Sequence, residues 1–209
     1  MATVNITRLP SSVALLTGTA SLALVLSACG SDAAETAQST SSFDDLFSSS
    51  VTEQSADFCP SAAPAQGGAP EWTLPGATGS VAVTGSTDAT APKVEVTAPF
   101  SVTETQVQTL KPGDGPVVAD TASVSVCYMG VNGRDGRVFD NSYEGGAPVD
   151  FPLDGVVPGF QKAIAGQNVG STVAVAMIPA DGYPQGQPAA GIEPGDTLVF
   201  AIKILDATN

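Results

Sequence analysis

Histidine is absent from the 209 residues, and that absence limits what the side chains can do. Without an imidazole there is no Ser-His-Asp or Cys-His nucleophile system of the usual kind and no His-ligated metal. Nor is there a side chain whose unperturbed pKa lies near neutrality. The cysteines, Cys29, Cys59 and Cys127, are too few for a four-Cys zinc site. What remains is a group of aromatic and short polar side chains in the C-terminal half: Tyr128, Phe139 followed directly by Asp140, Phe151, Phe160, Tyr183 and Phe200. Taken singly, each has an ordinary structural explanation. Phe139, Phe151 and Phe200 read as core aromatics, Asp140 as a turn cap, and Tyr128 as a packed strand residue. Any catalysis is expected to proceed without metal, cofactor, covalent intermediate or His-mediated proton transfer.

These side chains need a frame to hold them. The length suggests one ordinary domain with additions, and 43% apolar residues are enough for a core. Charge is one-sided, with 7 basic against 21 acidic residues and a formal net charge of −14. Such acidity repels phosphate backbones, which argues against nucleic acid as a partner. Over 123–130, Val124, Val126 and Tyr128 alternate with Ser123, Ser125 and Cys127, the period of a half-buried strand. That places Cys127 on the face opposite Tyr128. Over 172–178, Val173, Val175 and Met177 share one face and the small Ala174 and Ala176 the other. The last strand carries Leu198, Phe200, Ile202 and Ile204 on one face. Between them lies one short helix, with Pro158 at its start, Phe160, Ala163 and Ile164 at i, i+3 and i+4, and Gly166 as its stop. The pattern is α+β, a mainly antiparallel sheet with one short helix covering one face.

Upstream, residues 56–110 comprise a Pro/Gly-rich segment to about 80 and then short antiparallel strands at 81–83, 93–96 and 102–110. Alone they are too few for a good core. They are read as a β extension that packs on the main domain, 111–209, and supplies its first strand. At the N-terminus an apolar run over 13–26 is too short to span a bilayer, which takes about 20 residues, but has the length of a secretory leader. Leu26-Ser27-Ala28-Cys29-Gly30 resembles the bacterial lipobox. The resemblance implies a leader over 1–28 and acyl chains on Cys29, and two or more chains hold a protein at a membrane where one does not. The alternative is an ordinary signal peptide with a coincidental Cys. Residues 29–55, rich in Ser, Thr, Ala and acid, read as a flexible tether. Within it Phe43-Asp44-Asp45-Leu46-Phe47 reads as a turn, with a partner motif as the alternative. The expected location is the outer face of a bacterial cell membrane.

Three segments together resemble the FKBP-type peptidyl-prolyl cis–trans isomerases. The first runs Val126-Cys127-Tyr128-Met129-Gly130 to Phe139-Asp140-Asn141-Ser142, and the second Pro148-Val149-Asp150-Phe151 to Val156-Val157-Pro158-Gly159-Phe160. The third is Asp181-Gly182-Tyr183, with Ile192 and then Asp196-Thr197-Leu198-Val199-Phe200. The match extends over about 110–206. It implies an antiparallel sheet of five or six strands curled around one short helix, with a hydrophobic pocket between them. In that pocket Tyr128, Phe139 and Phe200 would form walls, with Val149 and Phe151 on a neighbouring strand. Val156 and Val157 would form the lip, Phe160 the floor, and Ile192 the far side. Tyr128 would hold Asp140, and Tyr183 would offer its hydroxyl to a substrate carbonyl.

The implied activity is acceleration of X-Pro rotation in exported polypeptides by a monomer. The alternative is an FKBP-fold chaperone or binding module with little turnover. Pro184 favours that alternative, standing where the family usually has Gly, because it biases Tyr183 toward extended backbone and removes a donor. With Cys29 acylated, Cys59 and Cys127 remain as an even pair in an oxidising compartment and are expected to form a disulfide. The alternative is two buried thiols.

Overall fold

The alternation in the sequence folds into two antiparallel sheets in a computed structural model that describes residues 58–64 and 68–208. The expected leader, the lipobox-like segment with Cys29 and the expected tether with its Phe43-Asp44-Asp45-Leu46-Phe47 patch lie outside the described residues. Strands β1 (Trp72–Pro75), β2 (Thr78–Thr84) and β3 (Lys93–Ser101) make a three-stranded sheet in that order. Strands β4 (Gln106–Lys111), β5 (Ser123–Asn132), β6 (Val138–Asn141), β7 (Val149–Pro152), β8 (Thr172–Met177) and β9 (Leu198–Thr208) make a six-stranded sheet. Its order is β4-β8-β9-β5-β6, with β7 also on β5. Helices α1 (Ser142–Gly145) and α2 (Pro158–Ile164) complete the fold.

Period-two alternation decides the layers. Val173, Val175 and Met177 of β8, with Phe200, Ile202 and Ile204 of β9, face the main core. There they meet Phe160, Ala163 and Ile164 of α2. The opposite face carries Ala174 and Ala176 of β8 with Val199 and Ala201 of β9, and is covered by Leu74, Val81, Val83 and Phe100 of the three-stranded sheet. Every residue of β8 is therefore buried. Small side chains on that second face let the two sheets approach closely, and neither layer is large enough to bury its apolar face alone.

Strand β5 pairs with β9 along one edge from Ser123 to Asn132. Its other edge is divided, with Ser123–Val126 pairing β7 and Met129–Val131 pairing β6. The division brings Phe151 and Phe139, from separate strands, to the same sheet as Tyr128. Cys127 lies on the opposite face and forms a disulfide with Cys59, S–S 2.02 Å. Around it pack Ala91 and Tyr143, with Met129 and Leu205 at the margin.

Local structure differs from the expectation at three places, the first being β1 and the start of β2, which lie inside the stretch read as Pro/Gly-rich. Strand pairing resumes at Gln106, not at 102. Residues before it are used as bridges instead: the Val102 amide donates to the Thr197 hydroxyl (3.3 Å), and the Thr105 hydroxyl donates to Asp181 (2.5 Å). The single expected helix is joined by α1, a four-residue turn capped by the Asn141 side chain, which accepts from the Tyr143 amide at 3.1 Å. One turn shows no periodicity in sequence.

Candidate active site

The site is assembled on the face of the large sheet that α2 covers. Pro158 occupies the first turn of α2, where its missing N–H is not needed, so Phe160 enters the core one residue after Gly159. Phe160 is 5% exposed, as is Phe200. Their rings meet edge to face, with centroids 5.2 Å apart at 87°. Tyr128 meets Phe160 at 5.6 Å and Phe200 at 6.2 Å. Phe139 stands edge-on to Phe200 at 5.5 Å, and Phe151 to Phe160 at 5.3 Å. Edge-to-face contacts of this kind are the preferred aromatic geometry. They build the site from aromatic carbon packed ring against ring.

Gly130 makes this convergence possible. A Cβ there would lie 2.7 Å from Cζ of Phe139 and 2.8 Å from Cε1 of Phe200. In the sequence Gly130 closes the motif Val126-Cys127-Tyr128-Met129-Gly130, with nothing local to show that a side chain is forbidden there. Its position two residues after Tyr128, on the same strand face, is the signal that could have identified it as a site residue.

The Tyr128 hydroxyl donates to Oδ2 of the exposed Asp140 at 2.6 Å. Burial first, then this hydrogen bond, the Asp140 charge and the nearby Tyr183 all push the Tyr128 hydroxyl above the ordinary phenol range. It therefore remains a proton donor through neutral and mildly alkaline pH. The bond also fixes Tyr128, whose amide donates to the Ser142 hydroxyl at 2.9 Å.

Val156, Val157 and Tyr183 are half-buried and packed against the core, and Ile192 is buried within it. The Val157 carbonyl accepts from Phe160 and Gln161 at the start of α2. Its own N–H has no acceptor among the described residues. Tyr183 begins a β-turn closed by Gly186 N–H donating to its carbonyl at 2.9 Å. Pro184 thus takes the second position of that turn, where proline's fixed φ is favoured and no donor is required. At the near end of the loop Asp181 accepts from Lys162 at 2.7 Å as well as from Thr105. The Lys162 ammonium, then the Thr105 hydroxyl, hold its carboxyl below the usual carboxylate range.

The structure thus brings together Tyr128, Phe139, Asp140, Phe151, Val156, Val157, Phe160, Tyr183, Ile192 and Phe200. Val149 is different. It pairs with Val126 on β5 but stays 37% exposed at the outer end of β7. The assembled groups offer apolar ring surfaces, the Val157 N–H and the Tyr183 hydroxyl, the Tyr128 proton being committed to Asp140. Such a site can hold a compact apolar ring and grip a carbonyl.

The family described as FKBP-type peptidyl-prolyl cis-trans isomerase matches residues 115–205. The FKBP-type peptidyl-prolyl cis-trans isomerase FkpA of Escherichia coli is 38% identical over 100 residues, which is 47% of this chain and 36% of that protein. The chain therefore spans well under half the length of that relative. A probable FK506-binding protein of Corynebacterium glutamicum is 35% identical over 98 residues, covering 46% of this chain and 80% of that one. The crystal structure of FkpA from Escherichia coli aligns with a TM-score of 0.45 at 35% identity, over 50% of this chain and 48% of the other. With a relative of that similarity matched over four-fifths of its own length, this chain belongs to the family of FKBP-type peptidyl-prolyl cis-trans isomerases.

Proposed function

We propose that the protein is a peptidyl-prolyl cis–trans isomerase acting on proline-containing exported polypeptides, as a monomer held at the membrane through acylated Cys29. The observation that carries the isomerase reading is the ring cluster of Tyr128, Phe139, Phe160 and Phe200, with Tyr128 bound to Asp140 at 2.6 Å.

Rotation about an X-Pro bond breaks no covalent bond, and its obstacle is amide resonance, a barrier of about 18–20 kcal/mol. In the twisted transition state the nitrogen lone pair is no longer shared with the carbonyl, so the amide is less dipolar than the planar form. A dry aromatic pocket disfavours the planar form relative to the twisted one, which is differential binding. The prolyl ring rests on Phe160, while the Val157 N–H and the Tyr183 hydroxyl hold the carbonyl in place. Tyr128 and Asp140 fix the pocket wall. The carbonyl's partners are donors that need not exchange a proton, which suits a chain without histidine.

A coupled-protease assay on an X-Pro tetrapeptide tests the reading, with Tyr183→Phe and Asp140→Val alongside the native protein. Native rates above background and reduced rates in both variants are expected. Native rates equal to background would reject the isomerase reading in favour of a binding module. Pro184 speaks less for that alternative in its β-turn, where proline's fixed φ is accommodated and no donor is required. For the anchor, the support is the sequence around Cys29 alone. Labelling cells with a clickable fatty acid should mark the native protein and leave Cys29→Ala unlabelled. Equal labelling of both would refute the anchor.

A further inference from the structure

Beyond Asp181 the pocket loop has a second anchor, built from residues that the aromatic site does not use. Asp196 has a side chain only 5% exposed. It accepts from Nδ2 of the buried Asn132 at 2.6 Å, from the Glu193 amide at 2.8 Å, and from Nε of Arg134 at 3.0 and 3.3 Å. Nη2 of Arg134 also reaches the Gly191 carbonyl at 3.0 Å, and Nη1 lies 3.6 Å from both Asp135 and Glu193. One guanidinium therefore spans the loop on both sides of Ile192 in sequence, at Gly191 and at Asp196. The segment just before it is closed by the Gln187 amide donating to the Ile192 carbonyl at 2.8 Å.

The other end of this strut is equally fixed. The Arg134 amide donates to Oδ1 of Asn132 at 2.9 Å, and the Gly133 amide to the Thr197 carbonyl at 2.8 Å. This turn leads directly into Phe139. A cavity of about 310 Å³ opens between the turn, with Asp135, Arg137 and Phe139, and the loop, with Ala189, Ala190 and Gly191. Arg134 reaches from that turn to Gly191 at the edge of the cavity and to Asp196 beyond it, so its length sets how far the loop tip, with Ile192 next to Gly191, stands from Phe139.

We infer that Arg134 is a positioning residue for the prolyl pocket, its guanidinium fork setting the separation of the Phe139 wall from the Ile192 loop through simultaneous bonds to Asp196 and the Gly191 carbonyl. The inference rests on the proposed isomerase site and deepens it. A planar fork is required, because a lysine ammonium is a point charge on a flexible stem and does not reproduce two directed bonds on separate acceptors. Arg134 acts on the standing shape of the pocket and not on the twisted amide. Its loss should therefore weaken substrate binding and leave the rotation step nearly unchanged.

The test uses the native protein, Arg134→Ala and Arg134→Lys, with the affinity for a proline tetrapeptide measured by NMR titration and kcat and KM by exchange spectroscopy on the same samples. Arg134→Ala should raise Kd and KM about tenfold, equivalent to ~1.4 kcal/mol, with kcat within about twofold of native. Arg134→Lys should resemble Arg134→Ala and not the native protein. Restoration of native affinity by lysine would overturn the inference, as would an unchanged Kd in Arg134→Ala or a fall in kcat at constant KM. Should the native protein bind the peptide without turnover, the isomerase reading falls and the strut is judged on Kd alone. Failure of the native protein to bind at all overturns the inference.

Discussion

Replacing Gly130 by alanine adds one methyl group at the centre of the aromatic cluster. The new Cβ would lie 2.7 and 3.0 Å from two Phe139 ring atoms and 2.8 Å from one of Phe200. Carbon atoms pack best at about 3.5–4.0 Å, so both rings must retreat by roughly 1 Å. They are held edge to face against each other, and Phe200 also against Phe160, so neither moves alone. Overpacking of this kind costs about 1–3 kcal/mol. Alanine in a strand is otherwise favoured over glycine by roughly 0.5–1 kcal/mol, so the two effects have opposite sign and the measured sign discriminates between them. We expect Gly130→Ala to be destabilised by about 1–2 kcal/mol in urea titration. Its kcat/KM should fall by about 10- to 100-fold, the scale of a 1 Å misplacement in a site. Gly145→Ala is the control, because a Cβ there meets nothing within 4 Å. A Gly130→Ala protein as stable as the native one, with turnover within twofold, would refute the ring packing on which the mechanism stands.

Three further outcomes can be measured. The Cys59–Cys127 disulfide spans 68 residues in sequence, and loop-closure entropy for a loop of that size is worth about 4 kcal/mol. The Cys59→Ala/Cys127→Ala double variant should lose stability on that scale, and a difference from the oxidised native protein below about 1 kcal/mol would contradict it. The Thr172 hydroxyl is buried without a hydrogen-bond partner among the described residues, so Thr172→Val should raise stability by about 1 kcal/mol, whereas a loss of stability would mean that the hydroxyl is bonded. Tyr143 is pushed up to about 12, chiefly by burial against a smaller opposing effect of its bond to Ser86. Its raised value contributes stability that is complete below the unfolded value near 10 and is lost as pH rises toward 12. The folded protein should therefore show a late tyrosinate step at 295 nm, well above pH 10, whose amplitude falls in Tyr143→Phe, and an unchanged titration curve in that variant would contradict the assignment.

Much of this organisation was legible because it depends on short-range periodicity. The alternation at Val124, Val126 and Tyr128 placed Cys127 on the reverse face, where it meets Cys59. The i, i+3, i+4 spacing of Phe160, Ala163 and Ile164 behind Pro158 marked α2 and its buried side. The two faces of β8 were likewise readable, large residues on one and alanines on the other. Three features were not. Strands β6 and β7 are four residues each, too short for a period to be recognised, and their places are set by the edge of β5. The exposure of Val149 follows from its position at the outer end of β7 and not from its own type. The role of Arg134 depends on Asp196, which lies 62 residues away in sequence.

By itself, then, the chain's residue types and spacing determined the chemistry that is possible: no imidazole, an apolar aromatic set, and strands with one aromatic face. Local alternation and helical spacing act between neighbours and are written in adjacent residues. Only the tertiary structure decided how close the rings stand, that Gly130 must lack a side chain, that a β-turn accommodates Pro184, and that Arg134 and Asp181 anchor the pocket loop. Those are distances between segments far apart in sequence, fixed by sheet register and by burial of both faces of β8, and no local pattern encodes them.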